Sequence, residues 1–337
     1  MKVNQVAACR GDSRPARGLS ASLVLLSLLS GGTPAAADTL YVTLEKDNAL
    51  AVVDGAAGKL VKTAKIGKRP RGIVLSRDGQ QLYVATSDDD VIQIIDADSL
   101  RKVGTLPSGD DPETFAMDPE GKFLYVSNED DNLVTVIDIA KRAKVKSIPV
   151  GVEPEGIAVS PDGQWVASTS ETTNMVHWID RAKLEVVDNT LVDPRPRAAS
   201  FTADSKQLWV TSEIAGVLLV LDVATRQVIK RIGFKIPGVT AEKIQPVGIR
   251  IDPQRRYGYI ALGPANRVAV IDAAKLEVVD YLLVGQRVWN LEFSPDYARL
   301  YTTNGVSNDI SLIELPEHRV TKSVAVGNYP WGVVARP

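Results

Sequence analysis

The chain has one cysteine, two histidines and three methionines in 337 residues. Cys9 precedes the only long apolar run, "LSASLVLLSLLS" (19–30). Beyond it there is no disulfide, thiol nucleophile or cysteine metal ligand to consider. The sequence contains no C-x-x-C-H, H-E-x-x-H or G-x-S-x-G, so the attachment and catalytic motifs those patterns carry are excluded. A basic excess is also missing. Residues 1–18 hold Lys2, Arg10, Arg14 and Arg17 against Asp12, and the whole chain has 39 basic and 41 acidic residues. The remainder therefore carries 35 basic and 40 acidic side chains, a poor match for nucleic-acid phosphates.

The basic start, the apolar run and the small residues Ala35-Ala36-Ala37 form the pattern of a secretory signal, with 1–37 as the predicted leader and export to the periplasm as its consequence. The run is too short to span a bilayer comfortably. Cleavage after Ala37 would leave 300 residues, enough for a large core without disulfides.

What the sequence has in abundance is repetition. "PRGIVLSRDG" from Pro70 recurs as "PETFAMDPEG" from Pro112, "PEGIAVSPDG" from Pro154, "PRAASFTADS" from Pro196, "PVGIRIDPQR" from Pro246, "VWNLEFSPDY" from Val288 and "PWGVVARP" from Pro330. The spacings are 42, 42, 42, 50, 42 and 42, with an eight-residue insertion within 233–245. Each unit reads as four short strands separated by turns, "SPDG" (160–163) being the clearest turn, and no sustained helical period appears after residue 37. Repeated four-stranded antiparallel units predict an all-β, seven-bladed propeller; an open stack of sheets is the rival. The blades after the first span 70–111, 112–153, 154–195, 196–245, 246–287 and 288–329. The remaining blade is split, its inner strand at 330–337 and its other three strands within 38–69.

The stretch "LYVSNEDDNLVTVIDIAKRAKVKSIPVGVEPEGIAVSPDG" (124–163) resembles the YVTN-type β-propeller repeat family. A signal followed by seven such repeats is most similar to the PQQ-dependent catabolism-associated β-propeller proteins. That resemblance implies an exported accessory of quinoprotein alcohol oxidation or of an associated ABC transport system. Its partner would be a quinoprotein dehydrogenase, a transporter component or a small ligand. It carries no implication that the chain itself holds PQQ. Lactonase-type propellers share the architecture, so a metal-assisted hydrolase is the alternative.

The loops at one face, here called the top, carry the candidate site. Three rings of positions surround the channel mouth there: Arg69, Asp111, Glu153, Arg195, Gln245, Arg287 and Tyr329; Arg71, Glu113, Glu155, Arg197, Val247, Trp289 and Trp331; and Glu45, Ser87, Glu129, Glu171, Glu213, Gly263 and Gly305. The expectation is a polarised mouth, acidic on blades 3 and 4 and arginine-aromatic at the seam. The candidate binding residues are Arg69, Arg71, Glu113, Glu155, Arg197, Arg287, Trp289, Tyr329 and Trp331, because arginine beside aromatic rings suits a planar or carboxylate-bearing ligand. Glu45, Glu129, Glu171 and Glu213 are the candidate ligands of a divalent cation. No other cofactor and no catalytic residue is expected. His177 reads as packing between blades, and His318 as a bottom-face turn residue. A monomer is expected.

Overall fold

The computed structural model describes residues 38–315 and 317–337, so the predicted leader 1–37 and Cys9 lie outside the described residues. Seven four-stranded antiparallel sheets form the blades of a propeller, six of them running in sequence order from the channel outward. The inner strands are Pro70–Leu75, Pro112–Met117, Pro154–Val159, Pro196–Phe201, Ile249–Ile251, Val288–Phe293 and Pro330–Arg336. Second and third strands are buried almost throughout, as in Phe123–Asn128 and Leu133–Asp138, because blades pack face to face on both sides of them. Outer strands such as Ala143–Pro149 are largely exposed, and their lysines discourage edge pairing with another sheet.

The split blade is present as expected. Its sheet pairs the C-terminal strand Pro330–Arg336 with Thr39–Leu44, in the register Tyr41 to Val334 and Val42 to Val333. Asp38, just before the first strand, is buried and accepts a hydrogen bond from the Tyr301 hydroxyl of blade 7.

The channel is narrow because neighbouring inner strands approach closely. Gly72, Gly156, Gly248 and Gly332 are the third residues of the inner repeats that begin at Pro70, Pro154, Pro246 and Pro330. A Cβ on Gly72, Gly248 or Gly332 would sit 2.5–2.6 Å from the carbonyl oxygen of Glu113, Trp289 or Arg71 in the next blade, and one on Gly156 closer still to that of Arg197. Buried threonines stitch the same level. Thr43 Oγ1 accepts from Gly332 N (2.8 Å) and donates to Arg71 O (2.8 Å), and Thr303 Oγ1 donates to Trp331 O (2.7 Å). The insertion is anchored at the top by Phe234, Ile236 and Ile244, which are buried in the core between blades 5 and 6.

Candidate functional site

The mouth is built by a latch repeated around the ring. Asn48, Asn132, Asn174, Asn266 and Asn308 lie in top-face turns with φ between 49° and 62°. Asparagine tolerates this left-handed conformation better than most residues. Each amide oxygen accepts the backbone N–H of the residue preceding an inner strand: Arg69, Glu153, Arg195, Arg287 and Tyr329, at 2.9–3.1 Å. Asp90 does the same for Asp111 (3.0 Å). These latched residues also have positive φ, which turns their side chains over the mouth. Their carbonyls accept the N–H of Glu45, Ser87, Glu129, Glu171, Glu213 and Gly305, so two of the three rings are tied together. The asparagines recur at the repeat spacing and were legible as a signal, although their chemistry lies in the backbone they hold.

The charges at the mouth are interleaved, in place of the expected poles. Arg69 bonds Asp111 (2.7 Å) and Glu113 (2.9 Å), and Arg71 pairs with Glu113 and lies 3.6 Å from Glu45. Arg197 bonds Glu155 (3.0 Å) and pairs with Glu171, while Arg195 reaches Glu171 (2.8 Å) and Glu213 (3.1 Å). The physical reason is adjacency. The arginines of one blade face carboxylates of a neighbouring blade across a narrow channel, the following blade for Arg69 and Arg71 and the preceding one for Arg197, and burial there favours local pairing.

Carboxylates outnumber arginines in this belt, and burial of the excess shows in their protonation. Burial and the nearby Glu155 push Glu113, which is fully buried, well above the ordinary carboxylate range, against the pull of Arg71. Burial and Glu155 also raise Glu129. Burial pushes Glu171 up to about 7 despite Arg197. Burial works against the charge of Arg71 and Arg197, but their glutamates outweigh it and hold both firmly protonated. Arg287 differs. Burial, together with Arg197 and Arg195, depresses its pKa. Its nearest carboxylate, Glu213, is 3.5 Å away, and its guanidinium stacks 4.3 Å over Trp289. It is the belt arginine with the weakest carboxylate pairing.

The candidate residues therefore divide. Glu113 and Glu155 are buried inside ion pairs, and Trp331 is buried with Arg71 beside its ring (5.8 Å). Arg287, Trp289 and Tyr329 form the more open sector, with the indole N–H of Trp289 buried and unpartnered. A cavity of about 160 Å³ runs down the channel beneath, lined in part by Trp289, Asn290, Trp331, Arg197 and Arg250. The four glutamates expected as cation ligands do not converge: Glu171 and Glu213 are held by Arg195 and Arg197. Glu129 instead joins Asp111 and Glu113, whose carboxylate oxygens lie within 4.8 Å of one another. His177 is buried. Its Nε2 accepts from Gly151 N (2.9 Å), so Nδ1 carries the proton donated to Asn189 Oδ1 (2.6 Å), and burial lowers its pKa. His318 lies against Tyr257 and Tyr259 on the bottom face.

A model of the cytochrome D1 heme domain family matches residues 77–289, well over half of the chain. Among solved structures, the chain is similar to the hydrazine synthase of Kuenenia stuttgartiensis (22% identity, 82% of this chain and 92% of that one, TM-score 0.75). It is also similar to the periplasmic gluconolactonase PpgL of Pseudomonas aeruginosa (17%, 88% and 98%, 0.74). A third is the dihydro-heme d1 dehydrogenase NirN in complex with DHE (14%, 88% and 74%, 0.67). No curated protein matches the sequence. The family match corrects the expectation of no cofactor beyond a cation, because the family is that of a heme domain. Heme was not read from the sequence because its iron is usually sought through histidine, cysteine or methionine, and the residues lining the channel cavity include none of these. The site fits the edge and faces of a planar carboxylate-bearing ring, through Arg287, Trp289 and Tyr329. Among the described candidate residues at the mouth, only Tyr329 has a side chain of a type that ligates heme iron.

Proposed function

We propose, from the premise that this chain belongs to the cytochrome D1 heme domain family, that it is a periplasmic propeller that binds a heme-class ring at its channel mouth. The observation that carries the reading is the loosely paired Arg287 stacked on Trp289, whose indole N–H is unsatisfied. Arg287 offers donors to an anionic ring substituent, and the exposed Tyr329 offers an aromatic face. A bound heme supplies one-electron chemistry. The chain's own residues hold its rim, and the asparagine latches fix their backbone before the ligand arrives, which lowers the ordering cost of binding.

Hemin titrated into the purified protein tests this by absorbance. The expected result is saturable binding that weakens about tenfold, or about 1.4 kcal/mol, in Arg287→Ala and in Trp289→Ala. Absence of a spectral change, or equal affinity in the variants, would overturn it. PQQ, also planar and carboxylate-bearing, is the second probe, and tighter binding of PQQ than of hemin would redirect the reading.

The periplasmic location draws support from the gluconolactonase likeness and the export signal read from the sequence. The accessory role beside a quinoprotein dehydrogenase or an ABC transporter component rests on the repeat resemblance alone. Co-capture of such a component from cells grown on an alcohol, lost in a Trp289/Trp331 double variant, is its test. A second reading, metal-assisted lactone hydrolysis, is favoured by the Asp111, Glu113 and Glu129 carboxylates and by the gluconolactonase likeness. It requires a stoichiometric divalent ion that Glu129→Gln removes.

A further inference from the structure

The blade junctions on the bottom face share one construction. In the six blades after the split one, the residue after the third strand donates its N–H to a carbonyl just before the same blade's second strand: Ala97 to Gln80, Ile139 to Lys122, Arg181 to Gln164, Val223 to Lys206, Ala273 to Arg256 and Leu315 to Ala298, at 2.9–3.1 Å. Its side chain packs into the groove against an aromatic ring of the preceding blade. Ala97 packs in one cluster with Tyr41, Ile139 with Tyr83, Val223 with Trp178, Ala273 with Trp209 and Leu315 with Tyr259.

At the junction of blades 3 and 4 this plug is an arginine. Arg181 does not fill the groove. Its guanidinium reaches across to the "DPEG" turn of blade 3, bonding Asp118 (2.9 Å) and Glu120 (2.6 and 3.2 Å), while its Nε donates to Gly163 O. The space left is a cleft of about 660 Å³ with Phe123, Tyr125, Val136, Trp165 and Leu184 in its wall. The junction of blades 6 and 7, where Leu315 is the plug among Tyr257, Tyr259, Phe293 and Tyr297, keeps only about 10 Å³. A cleft of this size with three aromatic walls is typical of a small-molecule site.

Charge decides what fits. Arg181 is neutralised by Asp118 and Glu120, and Asp180 is paired with Lys183 (3.2 Å). A carboxylate inside the cleft would face Asp118, Glu120 and Asp180, with Lys122 at the rim as its one lining cation outside a salt bridge, and a cationic ligand would compete with Arg181 for Asp118, whose side chain is 1% exposed. An uncharged ligand breaks nothing. We propose that this cleft is a second binding site, for an uncharged aromatic compound whose ring packs against the half-buried Phe123 and Trp165. Its hydrogen-bonding substituent reaches the exposed Lys122 and Gln164 at the rim.

The test is saturation-transfer NMR on the full mature chain, with indole and phenol as neutral probes and benzoate as the charged one. Indole is expected to bind saturably to the wild type and to Trp289→Ala, a variant of the opposite face. Affinity should fall at least tenfold in Arg181→Leu, which installs the plug of the blade 6–7 junction. If that variant misfolds because Asp118 loses its partner, Asp118→Ser/Arg181→Leu restores the turn residue found at Ser160 and should show the same loss. Undiminished indole binding in the folded plug variant would overturn the proposal. So would loss of binding in Trp289→Ala, or benzoate binding more tightly than indole.

Discussion

Glu171 shows what the belt does to a single residue. Its carboxyl is pushed up to about 7 by burial, although Arg195 and Arg197 both reach it. Because its folded pKa lies above the ordinary 4.5, the folded state holds a proton that the unfolded chain has released between those values. Its contribution to stability is therefore complete below about 4.5 and is lost as pH rises through about 7. A difference of that size is worth on the order of 3 kcal/mol at most. The raised pKa values of Glu113 and Glu129 act in the same direction. The Tm of the wild type should fall from about pH 5 to about pH 8, and Glu171→Gln, which cannot lose a proton, should flatten that fall. Thermal melts across this range check it; parallel slopes for the two proteins would show that Glu171 does not titrate there.

At the scale of the strand, the inner strands depend on what they lack. A methyl group at Gly156 would press on the Arg197 carbonyl of the next blade and on Thr169 Oγ1 of its own, the stitch between them, neither of which can yield without opening the junction. Gly156→Ala should cost about 1–3 kcal/mol by overpacking. At Gly233, nothing lies within 4 Å of an added Cβ, so Gly233→Ala should be near neutral. Chemical denaturation of the pair measures the contrast, and equal midpoints would remove close approach as the explanation. This level also marks where the sequence stopped being readable. Strand identity and order followed from the spacing of the prolines and the "SPDG" turn, whose Ser160 and Asp162 do bond each other (2.6 Å). The turn is local, so its residues are neighbours in sequence. The pairing of Arg69 with Asp111 and Glu113 joins residues 42 and 44 apart, and it depends on how far one blade is rotated against the next. A list of ring positions gives the composition of the mouth without that distance, so the interleaving was invisible and a separation into poles seemed natural. The bottom cleft was missed for a related reason: Arg181 looks unremarkable until Ala97, Ile139, Val223, Ala273 and Leu315 are seen to fill their grooves.

Across the whole molecule, stability rests on one junction that no covalent bond secures. The C-terminal strand is the innermost strand of the split blade, and it contacts both neighbours of the seam. Trp331 O accepts from Thr303 Oγ1 (2.7 Å) and Asn290 Nδ2 (3.0 Å) of blade 7, while Gly332 N donates to Thr43 Oγ1 (2.8 Å), which itself donates to Arg71 O of blade 2. Removing residues 330–337 strips these bonds and leaves the edge of Thr39–Leu44 bare on the channel side, open to pairing with another chain. It also forfeits the burial of Trp331, Val333 and Val334, roughly 1.5–3 kcal/mol each, a large share of the 5–15 kcal/mol typical of a folded protein. The truncated chain should therefore melt far below the full-length protein and aggregate at concentrations the latter tolerates. A peptide carrying "PWGVVARP" should recover part of the loss by occupying the vacant edge. Calorimetry and light scattering with and without the peptide test this. A truncated protein that melts within a degree or two of the intact one would mean that the ring holds its shape without the strand, and that closure at the seam is a consequence of the packing of the other six blades.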